Sequence, residues 1–260
     1  MKDYYDVVII GAGAAGMMCA IEAGKRYRTV LLIDHSPKIG KKIRISGGGR
    51  CNFTNMNTLP EHFLSSNPHF SKSALSQYTP YDFVQLIEKH DIQFHEKAAG
   101  QLFCDDSAQQ VIDMLIEECE KAKVEFSLAN QVNNVEHANA NKYEITTDLG
   151  DVICDSLVIA TGGLSIPKLG ATKFGYELAS KFDINVVSPK PGLVPFVIKD
   201  KDLQSPNSEA TNYQQENVWG GRFYREDRVN TGNPGKRMDR RNTSKFDTAF
   251  TTSIEAKEGI

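Results

Sequence analysis

Apolar residues fall in short runs separated by glycine-rich or charged stretches. Asp6-Val7-Val8-Ile9-Ile10 is a β-branched run without polar alternation, the pattern of a parallel strand buried on both faces. Met17, Met18, Ala20, Ile21 and Ala23 then recur at helical spacing, and Thr29-Val30-Leu31-Leu32-Ile33 predicts a second strand, ending at Asp34. Lys123-Val124-Glu125-Phe126-Ser127-Leu128 predicts a further strand of the same sheet. Tyr143-Glu144-Ile145-Thr146-Thr147 and Val152-Ile153-Cys154 flank the turn Asp148-Leu149-Gly150-Asp151 and predict a β-hairpin. After it, Ser156-Leu157-Val158-Ile159 predicts another buried strand, running into Ala160-Thr161-Gly162-Gly163.

Helices are expected near Tyr81 to His90, with Pro80 in the first turn, and from Ser107 to Ala122. In the second, Val111, Ile112, Leu115, Ile116 and Cys119 make one apolar face. Asn57 to Gln77 has no clean period and is expected to be irregular or short-helical. The sum is a three-layer α/β domain: a Rossmann-like parallel sheet, helices on its faces and a small antiparallel hairpin crossing over.

The first glycine cluster gives this frame a chemistry. Gly11-Ala12-Gly13-Ala14-Ala15-Gly16 lies between the first strand and its helix, a GxGxxG sequence in the context that dinucleotide binding requires. Gly11 permits the tight turn, Gly13 lets the backbone approach a pyrophosphate, and Gly16 lets helix and sheet pack closely. The helix N-terminus offers amide N–H groups to phosphate. Asp34 stands where a carboxylate accepts hydrogen bonds from the adenosine ribose and repels a 2′-phosphate, which disfavours NADP at this position. The motif alone does not separate FAD from NAD.

A second cluster, Pro37-Lys38-Ile39-Gly40-Lys41-Lys42-Ile43-Arg44-Ile45-Ser46-Gly47-Gly48-Gly49-Arg50-Cys51-Asn52-Phe53-Thr54-Asn55, combines a triple-glycine loop with basic flanks. Its N–H groups can face an anion, Lys42 and Arg50 add positive charge, and Asn52 and Thr54 can bond ring or ribitol oxygens. Together with GAGAAG before it and ATGGLSIPKLGATKFGYELA after it, this run resembles the YhiN/BaiN-like, aminoacetone-oxidase-type family of FAD-dependent oxidoreductases, from about Asp3 to about Asp200. The resemblance implies FAD as cofactor, with NAD(P)H as a candidate electron donor and a small molecule as substrate. It implies that Gly11, Gly13, Ala14, Ala15, Gly16 and Asp34 bind the ADP half, with Val132 near the adenine. Lys42, Ser46, Gly47, Gly48, Arg50, Cys51 and Asn52 would lie along the pyrophosphate-to-flavin path, and Ala160, Thr161, Gly162 and Gly163 would close the site. No catalytic residue is assigned. Cys51 reads as a small packing residue rather than a redox thiol, and His90 and His95 as surface or capping residues.

Composition narrows the remaining classes. A net charge of −3 gives no whole-chain reason to expect a nucleic-acid partner or a membrane, and the first apolar run is too short for a signal-peptide core or membrane span. Five cysteines without CxxC spacing and six histidines without a ligand pattern assign no metal, and suggest reduced thiols and a cytoplasmic location. Oligomeric state is not legible. Residues 1–200 are therefore expected to form the FAD-binding domain, and residues 201–260, poor in aliphatics, a poorly ordered tail. A basic cluster around Arg222 to Arg241, with Trp219, Phe223 and Tyr224, has an RNA-binding composition but is ranked below that reading. Members of the resembled family are longer by well over a hundred residues, so the chain also reads as a truncated or frameshifted member. The competing functional reading is a non-catalytic remnant that binds dinucleotide weakly or not at all.

Overall fold

A computed structural model describes residues 1–189 apart from 64, 66 and 139–141, together with 254–255. The expected tail lies outside the described residues but for those two. The chain divides into two compact units, residues 1–187 with 251–260 and residues 188–250, and every element below belongs to the first.

The main sheet grows from the β-branched runs. Strand β1 (Tyr4–Ile10) leads through helix α1 (Ala14–Lys25) to β2 (Val30–Asp34). Helix α2 (Lys41–Ile45) follows, then a 3-10 turn over Ser46–Gly49 and β3 (Asn52–Asn55). Helices α3 (Lys72–Gln77) and α4 (Pro80–Lys89) precede β4 (Phe94–Glu96) and β5 (Gln101–Cys104). Helix α5 (Ala108–Lys121), capped by the Ser107 side chain, leads to β6 (Glu125–Leu128), β7 (Val132–Ala138), β8 (Lys142–Thr147) and β9 (Gly150–Ile159). Helix α6 (Phe174–Lys181) closes the described fold, with a two-residue pair of β10 (Asn185–Val186) and β11 (Ile254–Glu255).

Six strands form one sheet in the order β6-β2-β1-β9-β8-β7. The four from β6 to β9 run parallel, while β8 and β7 continue it antiparallel. Buried residues on the two faces form two cores. One, around Ile9, Leu32, Met17 and Ile21, packs α1, α4 and α5 against the sheet. The other gathers Val8, Leu31, Val135, Ile145 and Cys154, with Leu178 of α6. A separate antiparallel sheet, β3-β5-β4, carries Phe94 edge-on to Phe53.

Two features correct the expected elements. The second hairpin strand and the strand entering ATGG are one continuous β9, whose first half pairs with β8 and second half with β1, overlapping at Ile153 and Cys154. Asp155, a charge in mid-run, does not break it, because its carboxylate is exposed, accepts the Tyr4 hydroxyl and lies 3.5 Å from Lys142 Nζ. The antiparallel part also gains β7, so the crossover is a three-stranded meander rather than a two-stranded hairpin.

Candidate functional site

The chain leaves β1 for β2 on one side and returns as β9 on the other, so the C-terminal end of β1 is the switch point where open α/β sheets hold ligands. Backbone bonds set the geometry there: Gly11 N–H donates to Ile33 O at 2.7 Å, and Ala160 N–H to Ile10 O at 2.8 Å. Gly11 has φ +115°, and a side chain on it would strike Ala160 O at 2.4 Å. A Cβ on Gly16 would lie 1.8 Å from Gly11 O, so α1 can approach the strand only with glycine there. Gly13 differs: its backbone is extended and a Cβ would meet nothing within 4 Å.

Over this turn opens a cleft of about 300 Å³. Ala14 and Ala15 line it and are exposed, and α1 starts with no side-chain cap and no acid in its first turn. The N-terminal amides of α1 are thus left for a ligand, with the helix dipole behind them. Asp34 forms another part of the wall. Its carboxylate accepts from the N–H groups of Ala12 and Ser36, each at 2.8 Å, which leaves lone pairs for ribose hydroxyls while bracing the glycine turn. Val132 and Asn130 stand beside it, with Asn130 N–H donating to Asp34 O at 3.1 Å.

Helix α2 and the segment after β9 supply the remaining sides. Gly40 N–H donates to Ala12 O at 3.0 Å, docking α2 on the glycine turn. Lys42 Nζ donates to Gly163 O at 3.1 Å and Ser165 Oγ at 3.3 Å, and burial pushes its pKa down. Lys41 Nζ reaches Leu169 O at 3.4 Å.

The structure therefore gathers Gly11, Gly13, Ala14, Ala15, Asp34, Lys42, Val132, Ala160, Thr161 and Gly162 around one cleft. Gly16 lies beneath it as a packing residue, and Gly163 borders it as the acceptor for Lys42. Ser46, Gly47, Gly48, Arg50, Cys51 and Asn52 are not in its wall: they form the turn and first strand leading into the small sheet. Gly47 lies against Phe103, and Cys51 is in the core. Sequence reasoning missed Ser36 and Asn130, which line the cleft from loops, and Thr172 and Phe174, which lie in the ATGGLSIPKLGATKFGYELA run at and just before the start of α6. Burial raises the thiols of Cys104 and Cys119 to about 12 and that of Cys154 to about 11, unlike reactive cysteines. Among the described residues no group of three His, Cys, Asp or Glu could hold a metal ion, and no helix is long and apolar enough to cross a membrane.

A glycine turn opening an uncapped helix, an acid closing the second strand and a return strand beside them define a Rossmann-like dinucleotide-binding class of α/β protein. Residues 5–236 match the family described as HI0933-like protein Rossmann domain, and the chain belongs to that family. The match runs past Asp200. A relative from Escherichia coli (strain K12), named ribosomal RNA dihydrouridine synthase, is 54% identical over 196 residues, covering 75% of this chain and 48% of that protein. A Haemophilus influenzae protein of the same name is 46% identical over 205 residues, 78% of this chain and 51% of the relative. A 3-dehydro-bile acid delta(4,6)-reductase from Clostridium scindens is 27% identical over 194 residues, 74% of this chain and 47% of its own length. The chain thus spans about half the length of these curated relatives.

Proposed function

We propose that the cleft binds FAD by its ADP half and that the protein works as an FAD-dependent oxidoreductase. The observation that carries this is Gly13, the one glycine of the turn whose side-chain position points into open space, beside the uncapped N-terminus of α1. A pyrophosphate there would take N–H groups from Gly13, Ala14 and Ala15, the ribose would bond Asp34, and Val132 would flank the adenine. Lys42 would bring positive charge to the phosphate side, its burial strengthening that interaction. When bound, the flavin supplies the two-electron chemistry, while the chain binds and orients it.

For the substrate we favour a pyrimidine base in RNA, because the relatives at 54% and 46% identity carry the name ribosomal RNA dihydrouridine synthase. Saturating the uracil 5,6 double bond takes two electrons and two protons, with reduced nicotinamide as the proposed electron source. This departs from the small-molecule substrate that the family resemblance implies and from the absence of a nucleic-acid partner expected from net charge.

The test is a spectrum of the purified protein across the near-UV and visible range, before and after loading with FAD and gel filtration. A flavin spectrum that travels with the protein supports the cofactor reading, and a colourless protein that takes up no FAD overturns it. Incubating the loaded protein with NADH or NADPH and ribosomal RNA, then measuring hydrogen gain on uridine by mass spectrometry, tests the substrate. Flavin binding without turnover on any reductant would favour the non-catalytic alternative.

A further inference from the structure

The two segments that flank the cleft are charged in one sense only. Residues 35–60 carry five Lys or Arg and residues 156–176 carry two, and neither stretch holds an Asp or Glu, in a chain whose net charge is −3. The remainder of the chain, which includes the basic cluster around Arg222 to Arg241, is therefore acidic in sum. Two of the seven, Lys41 and Lys42, are engaged in the wall by backbone carbonyls. Lys38, Arg50, Lys168 and Lys173 are exposed and make no ion pair among the described residues. Elsewhere on the surface, Lys and Arg side chains are commonly matched, as Arg26 is to Glu22 and Lys121 to Glu117. Lys38 in the cleft wall and Lys168 and Lys173 beside it are unmatched cations at one opening, and a polyanion laid across them gains from all three.

We propose that this lysine-bearing rim is a docking track for the phosphate backbone of a single RNA strand, which would lead a base past the nucleotide cleft toward the flavin. The proposal rests on the RNA reading of the substrate given above. Lys168 and Lys173 sit on either side of Leu169–Thr172, residues of the cleft wall, so phosphates bound there run past the opening rather than into it. The contact is electrostatic and carries no sequence information; it holds the strand in register and raises the encounter rate.

The test uses the full chain, loaded with FAD, and a short fluorescent single-stranded RNA, with affinity measured by anisotropy over a range of salt concentrations. The variant is Lys168→Gln with Lys173→Gln; the charge-matched control is Lys25→Gln with Arg28→Gln, at the far end of α1 from the cleft. Losing two phosphate contacts lowers the slope of log affinity against log salt by about 1.5. The rim variant should show that loss and the control should not. Equal loss in both pairs, no loss in the rim pair, or tighter binding to anionic phospholipid vesicles than to RNA overturns the proposal. Flavin absorbance in the same samples keeps the two readings apart. Bound flavin with an unchanged slope sinks the rim alone, whereas absent flavin sinks the cofactor reading and leaves the slope to judge the rim.

Discussion

The three glycines of the turn have different jobs, and substitution separates them. Gly13→Ala puts a methyl into open space on an extended backbone, so its unfolding free energy should stay within about 1 kcal/mol of the parent. FAD affinity should fall at least tenfold, because that methyl stands where the pyrophosphate would pass. Gly16→Ala drives a methyl into Gly11 O and should cost about 2–3 kcal/mol or more in denaturant melts. Equal loss of stability in both variants would remove the distinction between a binding glycine and a packing glycine. At this scale the sequence was readable where backbone geometry dictates residue type: Gly11, Gly16 and Asp34 stand where the spacing puts them. It was less readable along Ser46 to Asn52, where glycines and a cysteine can equally line a ligand path or make a turn. Phe103, a residue far along the chain, lies against Gly47, while a Cβ on Gly48 or Gly49 would meet open space.

Among the elements, α4 and α5 are joined by a charged contact rather than by apolar packing alone. Glu118, 3% exposed, accepts from Lys89 Nζ and His90 Nε2, each at 2.9 Å, and from Lys121 Nζ at 3.3 Å. Burial works to raise its pKa, but the three donors outweigh it and hold the carboxyl down at about 2. A carboxyl depressed in the folded state contributes stability that is complete above its unfolded value of 4.5 and is lost as pH falls from there toward 2. Glu118→Gln should therefore lower stability by about 2 kcal/mol at neutral pH, with the gap to the parent closing below pH 4, read by urea melts across pH. The helices themselves were predictable, since α5 starts beside the Ser107 cap and repeats its apolar face with helical period. Strands β3, β4 and β5 were not. They are three or four residues long, and Asn52-Phe53-Thr54-Asn55 has no clean alternation to announce a pleat. Their pairing is made by residues remote in sequence.

For the molecule as a whole, a cofactor that binds only the folded chain must stabilise it. FAD at a hundred times its dissociation constant adds about 2.7 kcal/mol, which raises the melting midpoint of a domain this size by about 5–10 °C. Scanning the parent and Gly13→Ala with and without FAD should show the shift in the first and little in the second; no shift in the parent would remove the cleft as an FAD site. The layer architecture followed from the alternation of buried runs and helices, because βαβ order leaves few topologies. The continuity of β9 did not, since a charge at Asp155 looks like a boundary until Tyr4 and Lys142 are seen beside it. That continuity bears on how the protein opens. A strand of ten residues, about 33 Å long, has one end in the meander and the other at the glycine turn. The meander cannot detach while the nucleotide end stays intact, because both hang on a single ladder. Amides from Val152 to Ile159 should accordingly exchange with deuterium as one slow block, and ligand in the cleft should slow the distant β8 edge along with the near one.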